Sequence, residues 1–208
     1  MNFLINISNH FFHEFYESMY PRFLKERSEK ILIINQNNFN PLFFNHHLKK
    51  FDTNLYILFH SKETSDLIKN EIMNEECNEK IFLSVYSLDR IITSYMNVKF
   101  HKIVVFHIRS IEYLHKILLI SSYFQCELIL YISMSQTFNI YFKNKYRSLM
   151  KSIHSNEMGY VFEYDEILKL LEEQTKYTIS SIQVLKEQYY AFYGSHKNYE
   201  IILAPKST

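Results

Sequence analysis

Short runs of apolar residues recur along the chain and are separated by segments with helical periodicity. The runs, rich in β-branched residues, stand at 31–34, 55–59, 81–85, 103–106, 128–132 and 160–162. Their hydrophobicity is continuous rather than alternating, which is typical of strands that are covered on both faces. Helical spacing occurs between them at 64–73, 87–96, 111–123, 138–153 and 165–173. Strands that alternate with helices predict an α/β fold with a doubly wound parallel sheet.

The two ends of the chain depart from this alternation. Residues 1–50 are rich in Phe, His and Asn and hold one strand run, so we expect an N-terminal extension that packs on the sheet. Residues 51–175 are predicted to form the α/β domain. Within residues 176–208, the spacing over 179–193 predicts a C-terminal helix, with Gly194 at its C-cap and a short apolar tail after it.

The low glycine content restricts the nucleotide-binding and catalytic motifs that the chain can contain. The 208 residues contain two glycines, Gly159 and Gly194. GxGxxG, Walker A and GxSxG motifs each need glycine where the backbone turns tightly or approaches a phosphate. The sequence therefore excludes these motifs, and we assign no cofactor.

Charge and cysteine usage predict a compartment. With 23 basic and 22 acidic residues the net charge is +1, so the chain as a whole carries no field that favours nucleic acid or an anionic membrane. Cys77 and Cys126 lack CxxC spacing, and the N-terminus lacks a basic segment followed by a long apolar one. We predict a cytoplasmic protein with reduced thiols and no membrane contact.

From Leu55 onward the order of elements resembles the receiver domain of bacterial response regulators. The segment 102–108 (KIVVFHI) is similar to the receiver's third strand, which ends in the phosphate-accepting Asp. The segment 128–133 (LILYIS) is similar to the fourth strand, which ends in Ser or Thr, and 159–163 (GYVFE) to the fifth, which ends in Lys. The resemblance covers residues 53–175 and implies a receiver-like, flavodoxin-like sheet.

The resemblance also implies that the family's phosphorylation chemistry is lost. The receiver's acidic pair falls on His60 and Ser61, its phosphorylated Asp on His107, and its Lys on Glu163, while Ser133 agrees with the family. Phosphoryl transfer needs carboxylates to hold Mg²⁺ and to act as nucleophile. Degenerate receivers occur in LuxR-type transcription regulators, and residues 176–208 resemble a shortened remnant of that family's helix-turn-helix.

A basic segment follows the strand predicted at 128–132. It consists of Lys143, Lys145, Arg147, Lys151 and His154. Lys143, Arg147 and Lys151 are spaced by four, and no acidic residue stands between 134 and 156. The pattern predicts a surface for nucleic acid or an acidic partner. The alternative is a solvated helix face whose carboxylates come from neighbouring elements.

Polar residues at the predicted strand ends form a candidate crevice. They are His60, Ser61, His107, Arg109, Ser133 and Glu163. Doubly wound sheets bind ligands at the carboxyl ends of their strands. The histidines lack a carboxylate partner and a glycine-rich anion loop, so we assign no catalytic residue. None of the ten histidines forms HExxH or another recognisable ligand set, so we assign no metal.

The leading functional prediction is a non-enzymatic regulator, acting in transcriptional control through a pseudo-receiver domain that dimerises or binds a partner protein. DNA binding through the basic segment would accompany this role. The alternative is a small flavodoxin-like or glycosyltransferase-like α/β enzyme, or a ligand-binding protein, that uses the crevice at the strand carboxyl ends.

Overall fold

A computed structural model of the chain describes residues 29–34, 54–58, 62, 65–66, 69–70, 81–84, 87–106, 108, 110–137, 162–190 and 194–206. Within these residues a single sheet holds eight strands. They are β1 (Lys30–Ile34), β2 (Asn54–Leu58), β3 (Ile81–Ser84), β4 (Lys102–Phe106), β5 (Glu127–Thr137), β6 (Phe162–Glu163), β7 (Tyr177–Tyr190) and β8 (Gly194–Pro205). The longer helices of the described part are α1 (Leu88–Ser94), α2 (Ile111–Phe124) and α3 (Tyr164–Glu172).

The strands follow the order β3-β2-β1-β4-β5-β8-β7, and β6 pairs with β5 beside this path. The pairs from β3 to β5 are parallel, and β8 is antiparallel to both β5 and β7. The prediction of an α/β fold with a mostly parallel sheet is confirmed. In the flavodoxin-like order 2-1-3-4-5, the strand at 54–58 would lie directly beside the strand at 102–106. Here β1 lies between them.

Both faces of the central strands are buried. On one face, which we call the helix face, strand residues pack in a single core with Leu114, Ile117 and Leu118 of α2. The strand residues of this core include Leu32, Ile34, Ile103, Val105, Leu128, Leu130, Ile201 and Leu203. Ile31, Ile33 and Val104 alternate with them on the opposite face and are also fully buried. Burial on both faces explains why the runs are hydrophobic without alternation.

The helix boundaries follow local capping chemistry. α2 begins after Ser110, whose Oγ accepts a hydrogen bond from the backbone N–H of Tyr113 at 3.1 Å. It ends at Gln125, which takes the left-handed conformation with φ 51° and ψ 43°. Ser87 is the N-cap residue of α1. Asp165 lies inside the first turn of α3, where its charge complements the helix dipole.

The helix predicted over 179–193 is wrong, because β7 runs through most of it. Residues 177–190 pair with β8 in an antiparallel hairpin, and Gly194 begins β8 instead of capping a helix. A register shift between Ile179 and Ser181 explains the error. The extra residue lets Ile179 and Ile182 lie opposite Leu203 and Ile201, both on the helix face, although they are three apart in sequence. The remnant of a helix-turn-helix is wrong for the same reason.

Candidate functional site

The sheet contains a topological switch point at β1. From β1 the chain passes to β2 and β3 on one side, and it then returns to β4 on the other side. The carboxyl ends of these strands are level, because Ile34 lies opposite Leu58 on β2 and opposite Val105 on β4. Open α/β sheets bind ligands in the crevice outside the carboxyl ends of their strands at such a point. The crevice between the ends of β1 and β4 is therefore the candidate site.

An arm of three strands borders the crevice. Tyr131 lies opposite Phe106, the last residue of β4, and β5 continues for six residues beyond it, to Thr137. β8 and β7 accompany β5 over this length. β6 pairs with β5 at Met134 and Ser135, beyond the end of β4. The arm extends about 20 Å past the end of β4, at about 3.3 Å per residue, and forms one wall of the candidate site.

A buried polar pair lies where the arm meets the end of β4. The Tyr131 hydroxyl donates a hydrogen bond to Glu200 Oε2 at 2.7 Å, and the two residues lie opposite each other on β5 and β8. Tyr131 and Glu200 are 4% and 5% exposed. The Tyr131 ring stacks on Phe106 with a centroid distance of 4.8 Å and an interplanar angle of 10°. Carboxylates are rarely this buried without a partner, and the Tyr131 hydroxyl is such a partner for Glu200. The ring stack packs Phe106, the last residue of β4, against Tyr131.

The structure brings together two of the predicted crevice residues. Ser133 is in β5 opposite Asn198, and Glu163 is in β6 opposite Ser135, so both belong to the arm beyond the end of β4. The other predicted crevice residues, His60, Ser61, His107 and Arg109, lie outside the described residues, although His107 directly follows β4 in sequence. Sequence reasoning missed Tyr131 and Glu200. Polar residues at 198 and 200, alternating with Tyr199 and Ile201 before the apolar tail, were the available signal.

Two titratable groups, at the amino ends of β5 and β7, are neutral at physiological pH. Burial raises the pKa of the Cys126 thiol from about 9 to about 12. Burial likewise raises the pKa of Tyr177 to about 12, and its hydroxyl donates a hydrogen bond to the Cys126 carbonyl oxygen at 2.8 Å. A thiol held protonated is a poor nucleophile, so Cys126 is a packing residue.

The remaining predicted sites fall largely outside the described part of the chain. Lys143, Lys145, Arg147, Lys151 and His154 all lie in the undescribed connection between β5 and β6. Among the residues that the structure does describe, no three or more His, Cys, Asp or Glu side chains are grouped as a metal would require. No helix of the described ranges is both long and apolar enough to cross a membrane.

Comparison with known proteins yields structural neighbours only. No family model matches the chain, and no curated protein matches it. The MccD protein has a TM-score of 0.66 at 7% identity, over 92% of this chain and 96% of that one. Geranyl diphosphate C-methyltransferase from Streptomyces coelicolor A3(2), solved with Mg²⁺, geranyl diphosphate and S-adenosyl-L-homocysteine, has a TM-score of 0.63 at 10% identity, over 94% and 80% of the two chains.

A third neighbour is a SAM-dependent methyltransferase from Geobacter sulfurreducens, solved with S-adenosyl-L-homocysteine. Its TM-score is 0.61 at 7% identity, over 93% of this chain and 91% of that one. At such identities the likeness shows the fold, which is the Rossmann-like fold of these methyltransferases.

The neighbours overturn the resemblance to response-regulator receivers. The five runs at 31–34, 55–59, 81–85, 103–106 and 128–132 overlap β1 to β5, and the run at 160–162 meets β6 only at Phe162. Their spacing carries no information on strand order, so β1 was not recognised as the strand between β2 and β4. The prediction of a non-enzymatic transcription regulator, with its pseudo-receiver and DNA-binding role, depended on that resemblance and is wrong. The alternative, an α/β enzyme or ligand-binding protein with a crevice at the strand ends, agrees better with methyltransferase neighbours.

Proposed function

We propose that the protein is a methyltransferase-type enzyme that binds an S-adenosyl donor and its acceptor in the crevice between β1 and β4. One observation carries this proposal: the strand order β3-β2-β1-β4-β5-β8-β7, with its switch point at β1 and its antiparallel β8. The neighbours that share this fold include enzymes solved with S-adenosyl-L-homocysteine. A bound donor would supply a methyl group attached to a positively charged sulfur.

The residues that follow β1 bear on whether such a donor fits. In doubly wound folds, glycines in the first strand-to-helix turn permit a tight turn and a close approach of the cofactor. Here the sequence after Ile34 is Asn-Gln-Asn-Asn, residues 35–38, without glycine. Asn is among the non-glycine residues that most readily adopt positive φ. The chain also places an amide side chain at a left-handed position elsewhere, at Gln125. The amide side chains of this segment can donate and accept hydrogen bonds with a ligand.

In the proposed complex, the residues that follow β2 would contact the ribose of the donor. In nucleotide-binding sheets an Asp or Glu near this point accepts hydrogen bonds from the ribose hydroxyls. Here His60 and Ser61 follow the end of β2. An imidazole and a hydroxyl can each exchange hydrogen bonds with ribose, but neither supplies a negative charge. We assign the ribose contact to this pair, and we expect it to bind the ribose more weakly than a carboxylate would.

The described residues contribute an apolar floor to the crevice. Ile34 and Phe106 are each 1% exposed and Leu58 is 4% exposed, at the ends of β1, β4 and β2. An apolar floor excludes water, which strengthens the polar contacts made by a bound ligand. The Tyr131–Glu200 hydrogen bond and the stacking of Phe106 on Tyr131 hold the last residue of β4 against β5 and β8.

The proposal is tested by placing a carboxylate at His60, the first polar position after β2. We expect S-adenosyl-L-homocysteine to bind the wild-type protein in isothermal titration calorimetry, and the His60→Asp variant to bind it about tenfold more tightly. A hydrogen bond to a charged group contributes about 1.5–3 kcal/mol, and tenfold in affinity is about 1.4 kcal/mol. His115→Asp introduces the same change on the exposed side of α2 and should leave the affinity unchanged.

The absence of binding in both the wild-type and the His60→Asp protein, with native circular dichroism in each, would refute a donor site in this crevice. An equal gain in affinity for His60→Asp and His115→Asp would show that net charge, and not ribose contact, controls binding.

A further inference from the structure

The two edges of the sheet differ in length. One edge is β3, which has four residues, and the other is β7, which has fourteen. Within the described residues no strand pairs with the outer side of β7. Proteins commonly keep edge strands short or protect them with proline or charged residues, because an open edge is a template for another strand. Residues 177–185 of β7 contain neither proline nor a charged residue, so this edge can accept a further strand.

The middle of β7 is exposed on both faces. All four residues from Ser181 to Val184 are exposed, although successive residues of a strand point to opposite faces. Ile182 and Val184 lie opposite Ile201 and Tyr199 of β8, so they continue the apolar row of the helix face as far as the edge. Ile182 is 37% exposed and Val184 is 44% exposed. The outer end of this apolar row is therefore accessible to a partner.

Two irregularities in the β7–β8 pairing bound this accessible segment. The register shifts between Ile179 and Ser181 and again between Val184 and Lys186, so the regular part of the edge is 181–184. Bulges increase the local twist of a strand, and long stacks of strands require flat, regular edges. The β7 edge is therefore suited to one short antiparallel partner and not to an extended stack.

A second copy of this chain is the partner that fits such an edge best. An antiparallel pairing about a two-fold axis uses the same residues of both copies, so it occupies both long edges and closes the assembly. Pairing with β3 of another copy would instead leave one edge open at each end, and β3 offers only four residues. The uncharged segment 177–185 and the net charge of +1 produce no strong repulsion between copies.

We propose that the protein forms a two-fold homodimer in which β7 pairs antiparallel with β7 of the second copy, with Gln183 on the axis. Directly opposite residues of an antiparallel pair share one face. This register therefore places Ile182 opposite Val184 of the second copy, and Val184 opposite Ile182, so that the exposed apolar side chains of the two helix faces cover each other. Two Gln183 amides meet on the other face, where each can both donate and accept a hydrogen bond. The inference is independent of the proposed donor site.

The experiment measures the dimer dissociation constant of the full chain by sedimentation velocity over a series of concentrations. We expect a reversible monomer–dimer equilibrium for the wild type. Ile182→Lys and Val184→Glu should each weaken the dimer about tenfold or more, because each places a charge opposite an apolar side chain. The double variant Ile182→Lys/Val184→Glu places opposite charges across both pairs and should recover most of the affinity. The matched controls Leu119→Lys and Met96→Glu change apolar residues that are 67% and 61% exposed outside β7, and they should keep the wild-type affinity.

A disulfide test examines the same register without introducing a charge. In a Cys77→Ser background the remaining native thiol, Cys126, is buried. Gln183→Cys should then form an intermolecular disulfide, because opposite Cα atoms in antiparallel strands are about 4.5–5.5 Å apart, within the range of a disulfide. Thr178→Cys is the matched control: it is exposed on the same strand, but five residues from the axis, which separates the two copies of residue 178 by about 30 Å.

A wild-type chain that sediments as a monomer at every concentration would overturn the inference. So would a dimer that the control variants weaken as much as the β7 variants do, or a Thr178→Cys chain that links as fast as Gln183→Cys. Oligomers that grow beyond the dimer would contradict the closed two-fold pairing. Circular dichroism establishes whether each variant is folded, and the disulfide test decides the matter where a charged β7 variant is not.

Discussion

A buried ion pair ties the first and fourth strands together at the amino edge of the sheet. Glu29 directly precedes β1, and Lys102 begins β4. The Lys102 ammonium lies 2.9 Å from Glu29 Oε1 and 3.2 Å from Oε2. The Glu29 side chain is 4% exposed and the Lys102 side chain 13% exposed, so neither charge is well solvated. We predict that Lys102→Met, which keeps the length of the aliphatic stem and removes the charge, strongly destabilises the protein.

The magnitude follows from the burial of the partner that remains. Breaking a buried pair by removing one member costs about 3–5 kcal/mol, because the other charge is left without compensation. For a chain of this length, each kcal/mol corresponds to about 2–4 °C in the melting temperature. We therefore expect Tm to fall by about 6–20 °C. The double variant Glu29→Met/Lys102→Met buries no charge and should recover most of this loss, since apolar replacements of buried pairs are often neutral.

Urea denaturation of the wild type, both single variants and the double variant completes a double-mutant cycle, and the transition midpoint and slope give each free energy of unfolding. A loss of less than about 1 kcal/mol for Lys102→Met would place the pair in the class of surface salt bridges and refute the reasoning. A double variant that loses as much as the sum of the single variants would refute it equally, because it would show no coupling between the two side chains.

Three further predictions concern the carboxyl end of α2 and the residues beside it. Gln125→Gly should stabilise the protein by about 1 kcal/mol in urea denaturation, since a left-handed conformation strains a residue with a Cβ but not glycine. Ser122→Gly, within the helix, should instead destabilise the protein by about 0.5–1 kcal/mol. A loss of stability in both variants would contradict the left-handed conformation of Gln125. The raised pKa values of Cys126 and Tyr177, caused by burial, mean that the unfolded chain releases these protons first. The contribution of these two groups to stability is therefore fully present below pH 9 and should be lost as the pH rises through about 9 to 12. In a Cys77→Ser background, iodoacetamide should label Cys126 only as the protein unfolds, and rapid labelling of native protein at neutral pH would contradict its burial.

The strand positions could be predicted from sequence because both faces of the central strands are buried. Runs such as 31–34 and 103–106 are then apolar at every residue, and the observed strands extend them by one residue at the amino end. The order of the strands could not be predicted. Nothing local to 31–34 indicates that it lies between two strands that follow it in the chain, at 54–58 and 102–106.

The candidate site was predicted only in outline. The rule that ligands bind at strand carboxyl ends directed attention to His60 and His107. It did not reveal the hydrogen bond between Tyr131 and Glu200, because these residues are 69 positions apart in sequence and meet only through the β5–β8 pairing. The β7 hairpin was missed because a bulge gives a strand the spacing of a helix, as Ile179 and Ile182 show.

The place of β8 in the sheet constrains the order in which the protein can fold. β8 begins at Gly194, after every other described element, yet it is inserted between β5 and β7. The edge of β5 that it covers, at 128–137, stays open until the residues of β8 have been synthesised. An open edge of apolar residues such as Leu128 and Leu130 is a template for pairing with other chains. The nascent protein therefore depends on late docking of the β7–β8 hairpin to leave its aggregation-prone state, and amide hydrogens of β5 should gain protection from exchange only at that step.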